Sequence, residues 1–507
     1  MNVVESKTSI PDSWERVEIG ALCDLKNGRA FKPSDWTKDG LKIVRIQNLN
    51  NPDASYNHYS GEVRDRFLID TGDLLFAWSG TPGTSFGAHI WRGEKAVLNQ
   101  HIFRVDFDES VISKKYFMYA INQQLTELIE KAHGGVGLRH VTKGKFENTV
   151  IELPPFAEQS RLVRKIEELF SELDNGIESI NLARDQLQVY RHALLRAAFE
   201  GKITAQWRKK NKSKLESADH LIARIKKERD ADYQARISAR NAASDENGGR
   251  PRAPKVFAPL TKQELEELPV LPDGWIWEKL GSMTCGVEYG TGAKSSERGK
   301  VPVLRMGNIQ NAKFDWSDLV YTSDQDEIRK YSLREGDVLF NRTNSPELVG
   351  KTAIYRGERP ALFAGYLIRI NQLPSVVDSQ YLNLFLNSHI ARQQGNRVKT
   401  DGVNQSNING EKLSNYPFPY CALAEQREIV KILEEKLSVI DQMEEDTNLQ
   451  IQKADALRQS ILKKAFCGNL VAQDPNDEPA SILLERIRTK KTEKENGKKI
   501  TRRKKAA

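Results

Sequence analysis

The chain of 507 residues is poor in cysteine and has no long apolar run. Because its four cysteines lie far apart and form no C-x-x-C pair, they argue against a disulfide framework or a zinc site. No segment approaches the roughly 20 apolar residues of a membrane span. The first residues also lack the basic and then apolar pattern of a signal peptide. We therefore expect a globular, cytoplasmic protein without a membrane partner.

Motifs that bind cofactors or carry catalysis are also missing. Val349–Thr352 resembles the end of a phosphate-binding loop, but Ser345 stands where G-x-x-x-x-G-K-[ST] requires glycine. Leu153–Phe156 resembles the N/D-P-P-aromatic loop of amino-methyltransferases, yet Leu153 has no polar group to accept from a target amine. The histidines show no metal-ligand spacing. The sequence therefore predicts no catalytic residue, no cofactor and no metal ion.

What the chain does contain is a long segment present in two copies. Residues 157–203 match residues 424–470 without a gap, at the offset of 267 positions that separates Glu158 from Glu425. A match without a gap indicates that the length of the segment is fixed. A rigid helix requires a fixed length, whereas a loop does not. In the first copy apolar residues recur every seven positions, as in the seam of a coiled coil. They are Ile166, Leu173, Ile180, Leu187 and Leu194.

The second copy keeps most of this seam but has Thr447 in the middle. Each copy ends at a glycine, Gly201 or Gly468, where a left-handed cap is favourable. About 43 helical residues give a rod of roughly 65 Å. Since each seam lacks a partner, we expect the two helices to pack on each other, although two unrelated surface helices remain an alternative.

Two globular segments precede the predicted helices and repeat one another more loosely. Pro11–Trp14 matches Pro272–Trp275, and Gly72–Phe76 matches Gly336–Phe340. Short apolar runs at Leu41–Ile46, Leu74–Trp78 and Ile102–Val105 predict strands, and Tyr116–Glu130 has helical spacing. The fold class predicted is mixed α/β (α+β), with two globular domains separated by two long helices that pack on each other, and with an internal repeat.

The predicted domain boundaries follow from these repeats. The segments are an N-terminal domain at 1–156, a long helix at 157–203, a polar linker at 204–270, a C-terminal domain at 271–423, a second long helix at 424–470 and a C-terminal segment at 471–507. Leu215–Arg240 in the linker is expected to be helical, and the basic tail Lys490–Ala507 to be disordered. The net charge of +8 mildly favours a polyanionic partner.

This order of domains and helices resembles the specificity (S) subunit of type I restriction–modification systems. The resemblance covers nearly the whole chain, and five segments carry most of it: Pro155–Gln159, Leu195–Gly201, Gly336–Ser345, Ala424–Arg427 and Leu457–Leu470. It implies that each globular domain is a target recognition domain reading half of a bipartite site in double-stranded DNA. The two long helices would pack as an antiparallel coiled coil with an internal pseudo-twofold repeat, and would act as the spacer between the half-sites.

The resemblance also implies the partners. Two modification (M) subunits would supply S-adenosylmethionine and adenine-N6 methylation, and restriction (R) subunits would supply ATP-driven translocation and cleavage. This chain would itself be non-catalytic and would bind no cofactor, in agreement with the missing motifs.

A DNA reader needs cations for phosphates and amide or guanidinium groups for base edges. Two loops in each globular domain offer such residues. In the N-terminal domain, the candidates for DNA binding are Trp78, Ser79, Thr81, Arg139, His140 and Lys143. In the C-terminal domain they are Arg342, Thr343, Asn344, Ser345, Asn404, Gln405 and Asn407. The alternative is that these residues only form turns, which Asn, Ser and Gly do in many proteins.

Two other functions remain open from the sequence. A self-contained restriction–methylation enzyme would bind S-adenosylmethionine on the isolated chain. A coiled-coil scaffold that binds only proteins would show no DNA binding, or binding without the steep salt dependence that phosphate contacts impose.

Overall fold

The structure is a computed structural model that describes residues 10–51, 53–80, 86–125, 128, 139–242, 253–403, 405–490 and 492. Its longest elements are two helices of 44 residues each, Phe156–Phe199 and Leu423–Phe466. Both predicted long helices are thereby confirmed. Each is followed by a glycine in the left-handed region, Gly201 with φ of 69° and Gly468 with φ of 72°. A side chain is strained in that conformation, which explains why both copies end in glycine.

The chain divides into two compact units, residues 1–180 with 449–507, and residues 181–448. In the first unit, Arg458 donates a hydrogen bond to Asp174 across the two long helices. In the second unit, Arg191 donates to Asp441 at 2.6 Å. Since the residue number falls on one helix as it rises on the other, the helices pack antiparallel. The unpaired seams predicted that the helices pack on each other, and the family resemblance implied the antiparallel direction.

The N-terminal globular domain is built around a four-stranded sheet in which Cys23–Asn27, Ile102–Phe107, Leu74–Ala77 and Gly87–Ile90 are successive neighbours. A second sheet of four strands orders Asn57–Tyr59, Leu41–Val44, Ala96–Leu98 and Leu68–Ile69. The other strands are Glu15–Glu18, which pairs with Val150–Leu153, and Ser79–Gly80, which pairs with Arg139–His140. Among the described residues of this domain, α-helices are formed by Ile19–Leu22, Ile46–Asn50, Lys114–Gln123 and Lys143–Glu147, with 3-10 turns at Pro33–Asp35 and Asp65–Phe67.

The strand predicted at Leu41–Ile46 ends two residues early, at Val44. The reason is local, because the Asn48 side chain accepts a hydrogen bond from the backbone N–H of Arg45 at 3.1 Å. This contact starts the helix Ile46–Asn50. The C-terminal domain repeats the device, with Arg305 N donating to Asn308 Oδ1 at 2.8 Å.

The C-terminal globular domain has the same main sheet, with the order Thr284–Tyr289, Leu367–Gln372, Val338–Asn341 and Thr352–Ile354. A three-stranded sheet orders Val320–Thr322, Val301–Leu304 and Leu362–Phe363, and a smaller one orders Thr343–Asn344, Ser406–Asn407 and Thr400–Asp401. The remaining strands pair as Ile276–Lys279 with Pro417–Tyr420, and Ile309–Gln310 with Lys313–Phe314. Its helices are Gln325–Tyr331, Ser379–Leu386, His389–Val398 and Gly410–Ser414, with 3-10 turns at Leu280–Met283 and Met306–Asn308.

A glutamine at the start of each long helix ties that helix to its own globular domain. Gln426 is fully buried, accepts from Asp378 N at 2.9 Å and donates to the carbonyls of Val376 and Cys421. Gln159 makes the equivalent contacts in the N-terminal domain, to Ser113 N and to the carbonyls of Val111 and Pro154. An amide satisfies a buried donor and two buried acceptors at once, which accounts for the glutamine in both copies.

The segments that follow the long helices pack on the globular domains. The linker contains helices Ala205–Lys210, Ala218–Ala242 and Lys262–Glu266 and a 3-10 turn at Lys212–Lys214. Leu221 and Ile225 join the core of the second unit, and Leu483 and Ile487 of the C-terminal segment join that of the first. The helix predicted at Leu215–Arg240 is therefore present with slightly later bounds. Most of the basic tail 490–507 lies outside the described residues.

Within the described ranges, no helix combines the length and apolarity needed to cross a membrane. The same ranges contain no group of three histidine, cysteine or acidic residues that could hold a metal ion.

Candidate nucleic-acid interface

The small sheet of the C-terminal domain brings two predicted loops together. The main-sheet strand Val338–Asn341 continues through Arg342 into Thr343–Asn344. This short strand pairs antiparallel with Ser406–Asn407, which in turn pairs with Thr400–Asp401. Candidates more than 60 positions apart in sequence therefore lie side by side on two paired strands, with Thr400–Asp401 as the third strand of this sheet.

Arg342 is held in a defined position by groups from two other elements. Its guanidinium lies over the ring of Tyr289, 4.9 Å from the ring centroid, and its Nη1 donates to the carbonyl of Gly365 at 3.4 Å. The Arg342 carbonyl accepts from Ile408 N at 2.9 Å, which joins this segment to the neighbouring strand. A guanidinium stacked on an aromatic ring loses fewer conformations when it binds a ligand, because it is already oriented.

Some of the other candidates in this domain form hydrogen bonds to neighbouring residues, and Gln405 is exposed to solvent. Asn407 Nδ2 donates to Thr343 Oγ1 at 2.7 Å, and Asn344 Oδ1 accepts from Ser345 N at 2.8 Å. The first of these bonds joins two paired strands, and the second orders the backbone that follows them. Gln405 is exposed, and Asn404 lies outside the described residues. Polar side chains thus remain available for base edges while others hold the loops in place.

The three strands surround a shallow depression of about 530 Å³. It is lined by Thr343, Thr400–Val403 and Gln405–Asn407. At its edge, the side chain of Val403 is fully exposed, with 100% of its surface accessible. A depression that is open, polar and built from loop tips suits an extended ligand better than a small molecule enclosed in a pocket.

The N-terminal domain contains the corresponding strand pair, although its side chains differ. Ser79–Gly80 pairs antiparallel with Arg139–His140, so that these two predicted segments are also neighbours. Trp78 stacks on Phe103 with ring centroids 5.8 Å apart. Ser79 is buried, with 4% of its surface exposed, and therefore packs in the interior of the domain.

The remaining candidates of that domain are less fully described. Lys143 begins the helix Lys143–Glu147 and is half exposed, with its Nζ 3.5 Å from Glu147. Thr81 lies outside the described residues, and only the backbone of Arg139 and His140 is described.

Sequence reasoning did not find Tyr289 and Gly365, which orient Arg342. Tyr289 ends a strand and its hydroxyl accepts from Gly410 N at 2.8 Å. Neither residue belongs to a local motif with Arg342, being 53 and 23 positions away in the chain. The only signal was an aromatic residue at a strand end, which occurs in many sheets, so these contacts became visible only in the folded domain.

The fold and the duplicated strand pairs define a class of protein with two similar α/β domains and two matched long helices. The family described as the type I restriction modification DNA specificity domain matches residues 11–182 and 289–453. The chain belongs to this family, as the sequence resemblance indicated.

Individual relatives agree with this assignment over almost the full chain. The chain is 24% identical over 514 residues to the type I restriction enzyme EcoBI specificity subunit of Escherichia coli, covering 98% of this chain and 96% of the relative. It is 23% identical over 531 residues to the EcoKI specificity subunit of E. coli strain K12, covering 98% of this chain and 100% of the relative.

A solved structure supports the fold. One solved structure describes the complex assembly and conformational transition of the type I R-M system. A chain of that structure superposes on this protein with a TM-score of 0.62 at 18% identity. The match covers 91% of this chain and 100% of that one.

Proposed function

We propose that this protein is the DNA sequence-recognition subunit of a type I restriction–modification complex. Each globular domain reads one half of a split site in double-stranded DNA, and the bases are read by the paired strands at the ends of the main sheets. The observation that carries the proposal is the strand pair built twice, at Ser79–Gly80 with Arg139–His140 and at Thr343–Asn344 with Ser406–Asn407, in a chain of the specificity family.

The chemistry of the C-terminal strand pair supports base recognition. An oriented arginine can bind the O6 and N7 acceptors of guanine with two hydrogen bonds, and amide side chains can do the same with adenine. Gln405 lines the depression, and Arg342, oriented over Tyr289, directly precedes Thr343, which also lines it. The side chains differ between the two domains, so the two half-sites should differ in sequence.

The matched helices support a spacer role. Two rods of 44 residues are each about 66 Å long at about 1.5 Å per residue. Cross-helix ion pairs near Asp174 and near Asp441 hold them in one antiparallel register. A spacer held in this way fixes the number of base pairs between the half-sites.

Methylation and cleavage then belong to partner subunits. In this proposal, two modification subunits dock on the long helices and transfer a methyl group to adenine, and restriction subunits join them to cleave DNA. The chain directs both activities without catalysing either, in the cytoplasm, where the DNA and the partner subunits are present.

Mapping methylated adenine by long-read sequencing tests the proposal directly. Cells with and without this gene are compared, with the neighbouring genes intact. We expect a split motif with a fixed gap that is methylated in the parent and unmethylated after deletion. A parent motif that persists after deletion would refute the proposal, and purified complex that binds no DNA would favour a protein scaffold.

A further inference from the structure

One face of the helix His389–Val398 carries polar and cationic side chains away from the core. His389, Arg392 and Asn396 follow a spacing of three and four positions, which places them along one side of the helix. All three are exposed, whereas Ile390 and Ala391 on the other side are buried. The stripe is therefore separate from the packing role of this helix.

Lys399 connects the stripe formed by His389, Arg392 and Asn396 to the segment Arg342–Asn344, which is the candidate for reading bases. It follows the helix, and its Nζ donates to the carbonyl of Pro346 at 3.2 Å, two residues beyond Asn344. Over the ten residues from His389 to Lys399 the stripe extends about 15 Å. It thus leads from the segment that contains Arg342 towards the first long helix.

Further basic side chains converge on Arg392 from other elements of the same unit. Lys351 and Arg392 both line a cavity of about 180 Å³ next to the Pro346–Gly350 loop. Burial, and then the charge of Arg392, lower the pKa of Lys351. On the first long helix, burial and the charges of Arg392, His389 and Arg191 lower the pKa of His192.

Of the three cations, Lys399 has a carboxylate nearby, with its Nζ 3.9 Å from Asp401 Oδ1, whereas no described carboxylate neutralises Arg392 or Lys351 in this way. In the described part of the chain, the Arg392 guanidinium has no ion pair and no side-chain hydrogen bond, and Lys351 donates only to the neutral Gln310 Oε1, at 3.2 Å. Glu347 lines the same cavity but is exposed. Like charges that are close together and unpaired destabilise the free protein, and a bound polyanion removes that cost.

We propose that Lys351, Arg392 and Lys399, with His389 and His192 beside them, bind the sugar–phosphate backbone of the duplex whose bases the Arg342 segment reads. This inference rests on the proposed function and adds to it a second, sequence-independent contact surface. Phosphate contacts of this kind set the register of a protein on DNA and do not distinguish bases. Duplex DNA fits better than an acidic protein surface because the stripe begins at the candidate base-reading strands.

Salt dependence of binding tests the proposal. The variant is Arg392→Gln in the full chain, assembled with its modification subunits. The probes are a random-sequence duplex and a duplex that carries the split motif found to be methylated in cells. Loss of one phosphate contact should lower the slope of log K against log salt by about 0.9. We expect weaker binding by the same factor on both duplexes, so that their affinity ratio is unchanged.

Arg397→Gln is the matched control, because Arg397 lies on the same helix but pairs with Glu267. Its slope should equal that of the parent, and Arg392→Lys should restore most of the slope lost in Arg392→Gln. An unchanged slope in Arg392→Gln, with a melting temperature equal to the parent's, overturns the proposal. So does a loss of modification subunits with an unchanged slope, which would assign the stripe to an acidic protein surface. A parent complex without site-specific binding would instead refute the proposed function itself.

Discussion

The indole N–H of Trp275 donates a hydrogen bond to the buried carboxylate of Glu425 at 3.0 Å. The other copy of the repeat contains the same contact, with Trp14 donating to Glu158 at 2.9 Å. Each bond joins the start of a globular domain to the start of the long helix that follows it in sequence. The Pro-Asp-x-Trp and Ala-Glu-Gln motifs therefore form one contact between a domain and its helix, which explains why both motifs are duplicated. We call the two contacts the Glu158 joint and the Glu425 joint.

The two joints differ in the other groups that surround the carboxylate. Glu425 also accepts from Thr204 at 2.7 Å and from Arg208 at 2.6 Å, whereas Glu158 accepts from the neutral Gln473. In Glu425→Gln, the new amide N–H₂ faces donors, so we expect the free energy of unfolding to fall by about 1–3 kcal/mol. Urea denaturation of the full chain measures this change.

Glu158→Gln is the matched control for that substitution. Gln473 can rotate its amide to present an oxygen to the new N–H₂ group, while Trp14 keeps its acceptor. We expect a loss below about 1 kcal/mol, since no charged donor is left unmatched. Equal losses in both variants would contradict the role assigned to Arg208.

The stability at the Glu158 joint should depend on pH. Burial raises the pKa of Glu158, and hydrogen bonds from Trp14 and Gln473 offset this only in part. A carboxyl with a raised folded-state pKa favours folding most below the pKa of an unfolded glutamate, about 4.3, and this contribution is lost as pH rises through the folded-state value. As pH rises through that window, the free energy of unfolding of the parent should fall relative to that of Glu158→Gln, whose amide does not titrate. Parallel denaturant titrations of both proteins across mildly acid pH measure the difference, and a constant difference would contradict the shift.

Two glycines in or after the long helices should respond oppositely to alanine. A Cβ on Gly176 would meet no atom within 4 Å, so Gly176→Ala should stabilise the protein by about 0.5–1 kcal/mol through its better helix propensity. A Cβ on Gly468 would lie 2.4 Å from Pro11 Cγ and would require a positive φ. Gly468→Ala should therefore lower the melting temperature while Gly176→Ala raises it. A rise in both would show that the cap after Phe466 is not constrained.

The parts of the fold that the sequence predicted correctly are those with a long, regular signal. The heptad spacing and the gapless offset gave both long helices to within a few residues, because the seam must be buried along the whole rod. The early end of the strand at Val44 was not predicted, since it depends on one side chain, Asn48, closing on the backbone of Arg45. The candidate loops were found by residue type, but the contacts of Arg342 with Tyr289 and Gly365 depend on sheet pairing between distant segments.

Shortening both long helices tests whether they set the gap in the DNA site. Residues 178–184 and 448–454 lie between the Asp174–Arg458 and Arg191–Asp441 pairs on their respective helices. Removing one heptad from each shortens the rods by about 10 Å and keeps the apolar seam nearly in phase. The methylated motif should then have a gap shorter by about three base pairs, at about 3.4 Å each.

Deleting three residues from each helix is the control for the shortened spacer. A change of three positions rotates the seam by about 60° away from its partner, because 3.6 residues make a turn. Methylation should be lost, since the helices no longer pack. A heptad deletion that leaves the gap unchanged would refute the spacer role.

Recognition by Arg342 should affect one half-site alone. Arg342→Ala removes the guanidinium over Tyr289, and the loss of one bidentate contact to a base costs about 1–3 kcal/mol of discrimination. Competition binding with duplexes altered at single positions should therefore show relaxed preference in one half of the split motif, with the other half unchanged. Arg329→Ala is the matched control, because Arg329 is an exposed arginine of the same domain that pairs with Asp326. If Arg342→Ala keeps both the affinity and the preference of the parent, Arg342 serves only to anchor its strand against Tyr289 and Gly365.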